Sequence, residues 1–185
     1  DFKCIADKCE HNCCIGWEID IDADTLEYYR SLNNDLGNEI MKKIGFIDYY
    51  LDEWHSNNYP AMIKEQTGGE LQVCYCYGEV DKEGGLTNEE WAKKNGLELL
   101  PTIEEVIEKS DYLIVLCPNN PEHHERLTDL ALKSGKLTYV DKTFAPTAEA
   151  AKRMFANAES HNTPFFSTSA LRYNSELANF DKEKI

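Results

Sequence analysis

The run Tyr112-Leu-Ile-Val-Leu-Cys117 constrains this chain more than any other stretch. Six consecutive apolar residues form a strand buried on both faces, as strands are inside a parallel sheet. Such a sheet needs crossover helices, and the flanking text supplies them. Lys42 to Ile47 reads as a strand ending at Asp48, Trp54 to Gln66 as a helix closed by Gly68-Gly69, and Leu71 to Tyr77 as a second strand stopped by Gly78. Thr102 and Glu105 make a T-x-x-E capping signal for a short helix through Lys109. Beyond the central run, Asn120 caps and Pro121 opens a helix through Lys133, ended by Gly135. Leu137 to Val140, Thr147 to Ser160 and Phe165 to Ser167 then read as strand, helix and strand. This alternation predicts right-handed βαβ units and an α/β fold with a doubly wound parallel sheet.

The composition changes at Met41. Residues 1–40 hold ten acidic side chains against three basic ones, −7 of a total charge of −15 over 185 residues. Met41-Lys-Lys-Ile-Gly-Phe-Ile reads as the start of an independent unit, so a boundary is placed there. The strongly acidic balance opposes phosphate backbones and anionic lipid, which excludes nucleic acid and membrane surfaces as main partners. No apolar run approaches the length of a membrane span. Seven cysteines, an odd number unevenly spread with no signal segment before them, predict a reducing cytoplasmic setting rather than a disulfide framework.

An open parallel sheet binds its ligand at the carboxyl ends of its strands. Here those ends are 48–55, 77–81, 117–124, 141–146 and 168–173. Four pieces in these places carry a resemblance: Lys43-Ile-Gly-Phe-Ile47, Cys117-Pro-Asn-Asn-Pro-Glu-His-His124, Val140-Asp-Lys-Thr-Phe144 and Phe165-Phe-Ser-Thr-Ser-Ala-Leu-Arg-Tyr173. Residues 41 to about 175 resemble the Rossmann-like nucleotide-binding half of the Gfo/Idh/MocA oxidoreductases. The resemblance implies an NAD(P)-binding domain over 41–173, with 174–185 opening a substrate domain that this chain leaves incomplete. It also implies a sugar or polyol substrate for the complete protein and no turnover by this chain alone. Homo-oligomer formation is left open.

Lys142 corresponds by this resemblance to the lysine of the family's E-K-P motif, the catalytic position; the alternative is an ordinary surface lysine after a strand. Asp141 replaces the glutamate and Thr143 the proline. Cofactor contacts are implied for Ile47, Asp48 and Tyr50 in the first turn, Glu79 and Asp81 after the second strand, and Pro118, Asn119, Asn120 and His123 in the strand-four loop, with Asp141 beside the lysine. An acid at 79 or 81 favours NAD over NADP, because it repels a 2′-phosphate. The first turn departs from the pattern: where the family's G-x-G-x-x-G places bare backbone against a pyrophosphate, this chain has Asp48, Tyr50 and Glu53. A second reading is therefore a non-enzymatic dinucleotide-fold module that has lost its phosphate loop. His55 lies near the same crevice and reads as a capped or surface group.

Cys4, Cys9, Cys13 and Cys14 form a close set of four thiols suited to zinc or an iron–sulfur cluster. Residues 2–40, with Gly16-Trp-Glu-Ile-Asp-Ile-Asp22 following the cysteines, resemble the start of the flagellin lysine N-methylase family. That resemblance implies metal ligation by the four cysteines, and a fragment of a metal-dependent methylase as a third reading.

Overall fold

The computed structural model describes residues 41–169 together with Tyr28. Six strands, β1 (Lys42–Asp48), β2 (Leu71–Gly78), β3 (Glu98–Leu99), β4 (Tyr112–Val115), β5 (Thr138–Val140) and β6 (Phe165–Phe166), make one sheet in the order 3-2-1-4-5-6. Every pairing is parallel. The helices are α1 (Trp54–Gln66), α2 (Asn88–Asn95), α3 (Ile103–Lys109), α4 (His124–Leu132) and α5 (Ala148–Ser160). This is a Rossmann-like α/β fold. Its order reverses between β1 and β4, so the crevice opens where both strands end.

Burial follows the alternation of side chains along β1. Phe46 joins Ile44, Leu51, Val73, Cys76, Trp91 and Leu116 in one core, while Ile47 joins Val106, Leu113, Val115, Leu127 and Ala131 in another. A sheet covered on both faces needs both sets, which is why its strands read as continuous apolar runs. A third cluster, Leu132, Val140, Met154 and Ala158, holds α5 against β5. Gly45 is required by close approach: a Cβ there would overlap Val106 and Ser110, so α3 lies directly on the β1 backbone.

The sequence reading missed α2 and β3. Thr87 and Glu90 form a complete reciprocal capping box at the start of α2, and Gly96 closes that helix in the left-handed conformation. The same T-x-x-E spacing that located α3 was therefore present at 87–90; β3, at two residues, is too short to leave a pattern. Asn120 needs correction as a helix cap. The chain first makes a 3₁₀ turn over Pro121–His123, and Asn120 makes no side-chain capping bond. Its amide donates to Glu122 instead (3.1 Å). The four N-terminal cysteines, the methylase-like stretch and residues 174–185 lie outside the described residues. Among the described residues no helix is long and apolar enough to cross a membrane, and no group of three or more His, Cys, Asp or Glu side chains is arranged to hold a metal.

Candidate functional site

The carboxyl end of β1 leads into a turn in which several backbone donors already have partners within the protein. Tyr49 N–H donates to Asp48 Oδ1 (2.7 Å) and Leu51 N–H to Asn88 Oδ1 (3.0 Å). Glu53 N–H donates to the Leu51 carbonyl (2.8 Å). Glu53 is the N-cap of α1: its Oε2 accepts from His55 N–H (2.8 Å) and its Oε1 from Ser56 N–H (2.5 Å). A carboxylate is favoured at this end of a helix by the free amides and by the helix dipole. The first turn thus carries its own anion.

Ser56 Oγ lies 2.9 Å from both Asp48 Oδ2 and Glu53 Oε1, and all three residues are buried. A hydroxyl has one proton to give. It therefore serves one carboxylate at a time: it can donate to ionised Asp48, and where Asp48 is protonated that acid donates to Ser56 Oγ and the hydroxyl donates to Glu53. Asp48 Oδ1 meanwhile accepts from Tyr49 N–H and from Cys117 N–H (3.0 Å). Burial, reinforced by the nearby Glu53 charge, pushes the Asp48 pKa up to about 8, which favours the neutral acid below that pH.

His55 is the link to β5. Its Nδ1 hydrogen-bonds Glu53 Oε2 (2.9 Å), and its Nε2 lies 3.6 Å from Asp141 Oδ2. Asp141 is buried; its Oδ1 accepts from Tyr139 OH (2.8 Å), while Oδ2 has no hydrogen-bond partner. Trp54, 60% exposed, stands edge-on to His55 (centroids 5.2 Å apart) at the rim of this cluster. Lys142 follows Asp141 directly and is partly exposed, and its peptide bond to Thr143 is cis.

Beyond the end of β2 a hollow of about 520 Å³ is bounded by Tyr77, Gly78, Glu79, Asp81, Asn88 and Pro101, among others. Both acids singled out from the sequence face this region and are engaged. Glu79 pairs with Arg126, and Asp81 Oδ1 accepts from Asn88 N–H (2.7 Å) at the start of α2. Asn88 also donates to the Val80 carbonyl (2.9 Å), so one buried amide side chain ties the β2 loop to the β1 turn. Gly78 makes room for it, since a Cβ there would collide with Asn88.

In the strand-four loop Cys117 adopts φ 65°, a left-handed value uncommon outside glycine, with its amide held by Asp48. Asn119 donates to Tyr50 OH (3.3 Å), and the His123 ring packs on Tyr49 with centroids 4.2 Å apart. His124, fully buried, sets its two ring nitrogens against the carbonyls of Leu116 and Phe144 (the latter 3.1 Å), donating to one of them in either neutral tautomer. It fastens the end of β4 to the loop after Lys142. Sequence reasoning missed this role; the available signal was the second histidine of a His-His pair.

The predicted cofactor-contact residues fall into four groups. Asp48 and Asp141 belong to one buried network with Glu53, His55 and Ser56, and Ile47 is buried beside it in the core. Tyr50, Asn119 and His123 meet across the crevice through side-chain contacts with the first turn. Glu79 and Asp81 sit apart at the β2 hollow, and Pro118 and Asn120 lie on the strand-four loop.

With this geometry in view, comparison with known proteins gives a consistent picture. Residues 80–169 match the GFO_IDH_MocA family model, described as oxidoreductase family, NAD-binding Rossmann fold. No curated protein sequence matches the chain. Among solved structures, the chain is similar to the WlbA dehydrogenase from Bordetella pertussis in complex with NADH and UDP-GlcNAcA (17% identity, TM-score 0.59, 75% of this chain and 40% of that one). It is similar also to an NAD-binding protein from Listeria innocua (20%, 0.57, 73% and 37%). A third is biliverdin reductase from Synechocystis sp. PCC 6803 in complex with biliverdin and NADP+ (13%, 0.57, 71% and 39%). At these identities the likeness is one of fold, and the chain spans about two fifths of each of those proteins. The methylase resemblance gains no support, since the family match covers 80–169 only.

The fold family implies a dinucleotide, and the first turn decides how well one fits. A pyrophosphate in such a fold is held by free amides at the start of the first helix. Here five of the amides, those of Tyr49, Leu51, Glu53, His55 and Ser56, have internal partners, and a carboxylate stands among them at the start of the helix. In this arrangement the residues present do not fit a pyrophosphate at α1.

Proposed function

We propose that residues 41–169 are the nucleotide-binding half of a Gfo/Idh/MocA-type NAD(P)-dependent oxidoreductase that acts, in the complete protein, on a sugar or polyol. The observation carrying this reading is the family match over 80–169 on a sheet of order 3-2-1-4-5-6. That stretch takes in the Asp81, Asn88 and Pro101 side of the β2 hollow, the strand-four loop and Lys142. Lys142 is the residue proposed to touch substrate, binding a substrate hydroxyl through Nζ and passing its proton. The exposed Trp54 supports a sugar-like ligand, because an aromatic face packs against the C–H side of a pyranose. WlbA, with NADH and a sugar nucleotide, is a precedent for such a pair of ligands on this fold. Glu79 and Asp81 support NAD over NADP. A dinucleotide reaching the β2 hollow would bring its pyrophosphate up to the start of α1, where it meets the Glu53 carboxylate.

The test is a titration of NADH and NADPH into the 185-residue chain, read by energy transfer from tryptophan to nicotinamide. Saturable NADH binding, tighter than NADPH binding, is expected; no binding at about 1 mM would withdraw the oxidoreductase reading. In the complete protein, Lys142→Ala should lower kcat by about 10²-fold or more while the melting temperature holds. Unchanged turnover would remove Lys142 from the chemistry.

The second reading, a binding or regulatory module on the same fold, is favoured by one observation: the His55 and Ser56 amides at the start of α1 are already bonded to Glu53.

A further inference from the structure

We infer that the Glu53 carboxylate is a tethered anion standing where this fold places a pyrophosphate, so that nucleotide affinity is set by a competition inside the first turn. The inference rests on the crevice being a dinucleotide site, as proposed above. Three features of the geometry carry it.

Glu53 does what a bound phosphate would do: it accepts from two successive amides at the start of a thirteen-residue helix. It is also braced from the side, by the Ser56 hydroxyl and by the His55 ring, so its position does not depend on chance rotamers. The neighbouring strands bring further carboxyl groups to the same place. From β1 comes Asp48, and from β5 comes Asp141, whose buried Oδ2 lacks any hydrogen-bond donor. On the β4 side the Cys117 amide is already given to Asp48. Among the described residues, His55 is the basic side chain bonded into this cluster, and it spans Glu53 and Asp141. A pyrophosphate can take the α1 amides only by displacing Glu53, whereas a ligand without phosphate meets no such competitor.

The experiment compares the full chain with Glu53→Ser and Glu53→Gln, using NADH and adenosine as probes and calorimetry as the readout. Serine is a good N-cap, so helix α1 keeps its capping acceptor while the charge and bulk leave. Glutamine keeps the bulk and removes only the charge. NADH affinity is expected to rise about tenfold or more in Glu53→Ser and by less in Glu53→Gln, as a like charge at a helix N-terminus is lost. Adenosine affinity should stay equal in all three proteins. If Glu53→Ser does not fold, Glu53→Gln carries the test by itself, with NADH binding tighter than the parent as the supporting result. Equal NADH affinity in parent and folded variants would overturn the inference and leave the oxidoreductase reading standing. Adenosine binding without NADH binding in any of the three would also overturn it. Failure of every protein to bind either probe would remove both the inference and the reading.

Discussion

Replacing Asp48 by asparagine is expected to abolish a fall in stability that the parent shows as pH rises from about 4 towards about 8. Asp48 is raised from 3.8 to about 8 by burial and then by Glu53, against the smaller opposing effects of bonds from Ser56, Tyr49 and Cys117. Between those two values the folded chain holds a proton that the unfolded chain has released. Stability contributed by that proton is complete below the unfolded pKa and is lost as pH climbs through the window. The slope is roughly 1 kcal/mol per pH unit, which makes this one of the larger single-residue effects in the molecule. Asparagine reproduces the neutral acid: its Nδ2–H donates to Ser56 and its oxygen accepts from Tyr49 and Cys117, with no proton to gain. Urea denaturation at a series of pH values measures the difference between the two proteins. The variant should be the more stable at pH 8 and the less pH-dependent throughout. A parent and variant with parallel profiles would show that Asp48 is ionised in the folded protein.

The second large effect is structural. Trp91→Ala should destabilise the domain by about 3–5 kcal/mol, a sizeable part of the stability of a typical domain. Trp91 is fully buried and packs with Phe46, Leu51 and Cys76, and its indole N–H donates to Asn57 Oδ1 (2.8 Å). It therefore fills the core under β1 and holds α2 to the first turns of α1, next to Glu53 and His55. Trp91→Phe retains most of the volume and loses the hydrogen bond, so it should cost about 1–3 kcal/mol. Denaturant midpoints of the three proteins check both values. A loss below about 1 kcal/mol in the alanine variant would mean that α2 is not part of the cooperative fold.

Much of the architecture was legible beforehand. Tyr112 to Cys117 reads as one doubly buried strand; the structure keeps the strand but ends it at Val115, with Leu113 and Val115 buried and Tyr112 and Ile114 partly so. The capping signal at Thr102 and the helical stretch from Thr147 both correspond to helices. Helix α2 was equally marked, by Thr87 and Glu90, but lies in polar text with two lysines and two glutamates, where no apolar stripe draws the eye. Asn120 misled for a physical reason: a proline after an asparagine starts a helix in sequence statistics, whereas here the loop from Cys117 arrives in a conformation that admits a 3₁₀ turn first.

The site divides along the same line. Sequence by itself determined the α/β class, the strand ends at which ligands gather, and the presence of acids at 48 and 53 where bare glycine backbone belongs in this fold. What those acids do was decided only in three dimensions. A carboxylate three residues before Ser56 can point to solvent or cap its own helix, and local spacing does not choose between the two. The choice follows from the burial of Asp48 against Cys117, sixty-nine residues away, and from Asp141, brought up by β5 to face His55. Those partners are distant in the chain and adjacent in the sheet, so the proton on Asp48 and the anion at α1 are properties of the strand order, which no stretch of sequence contains.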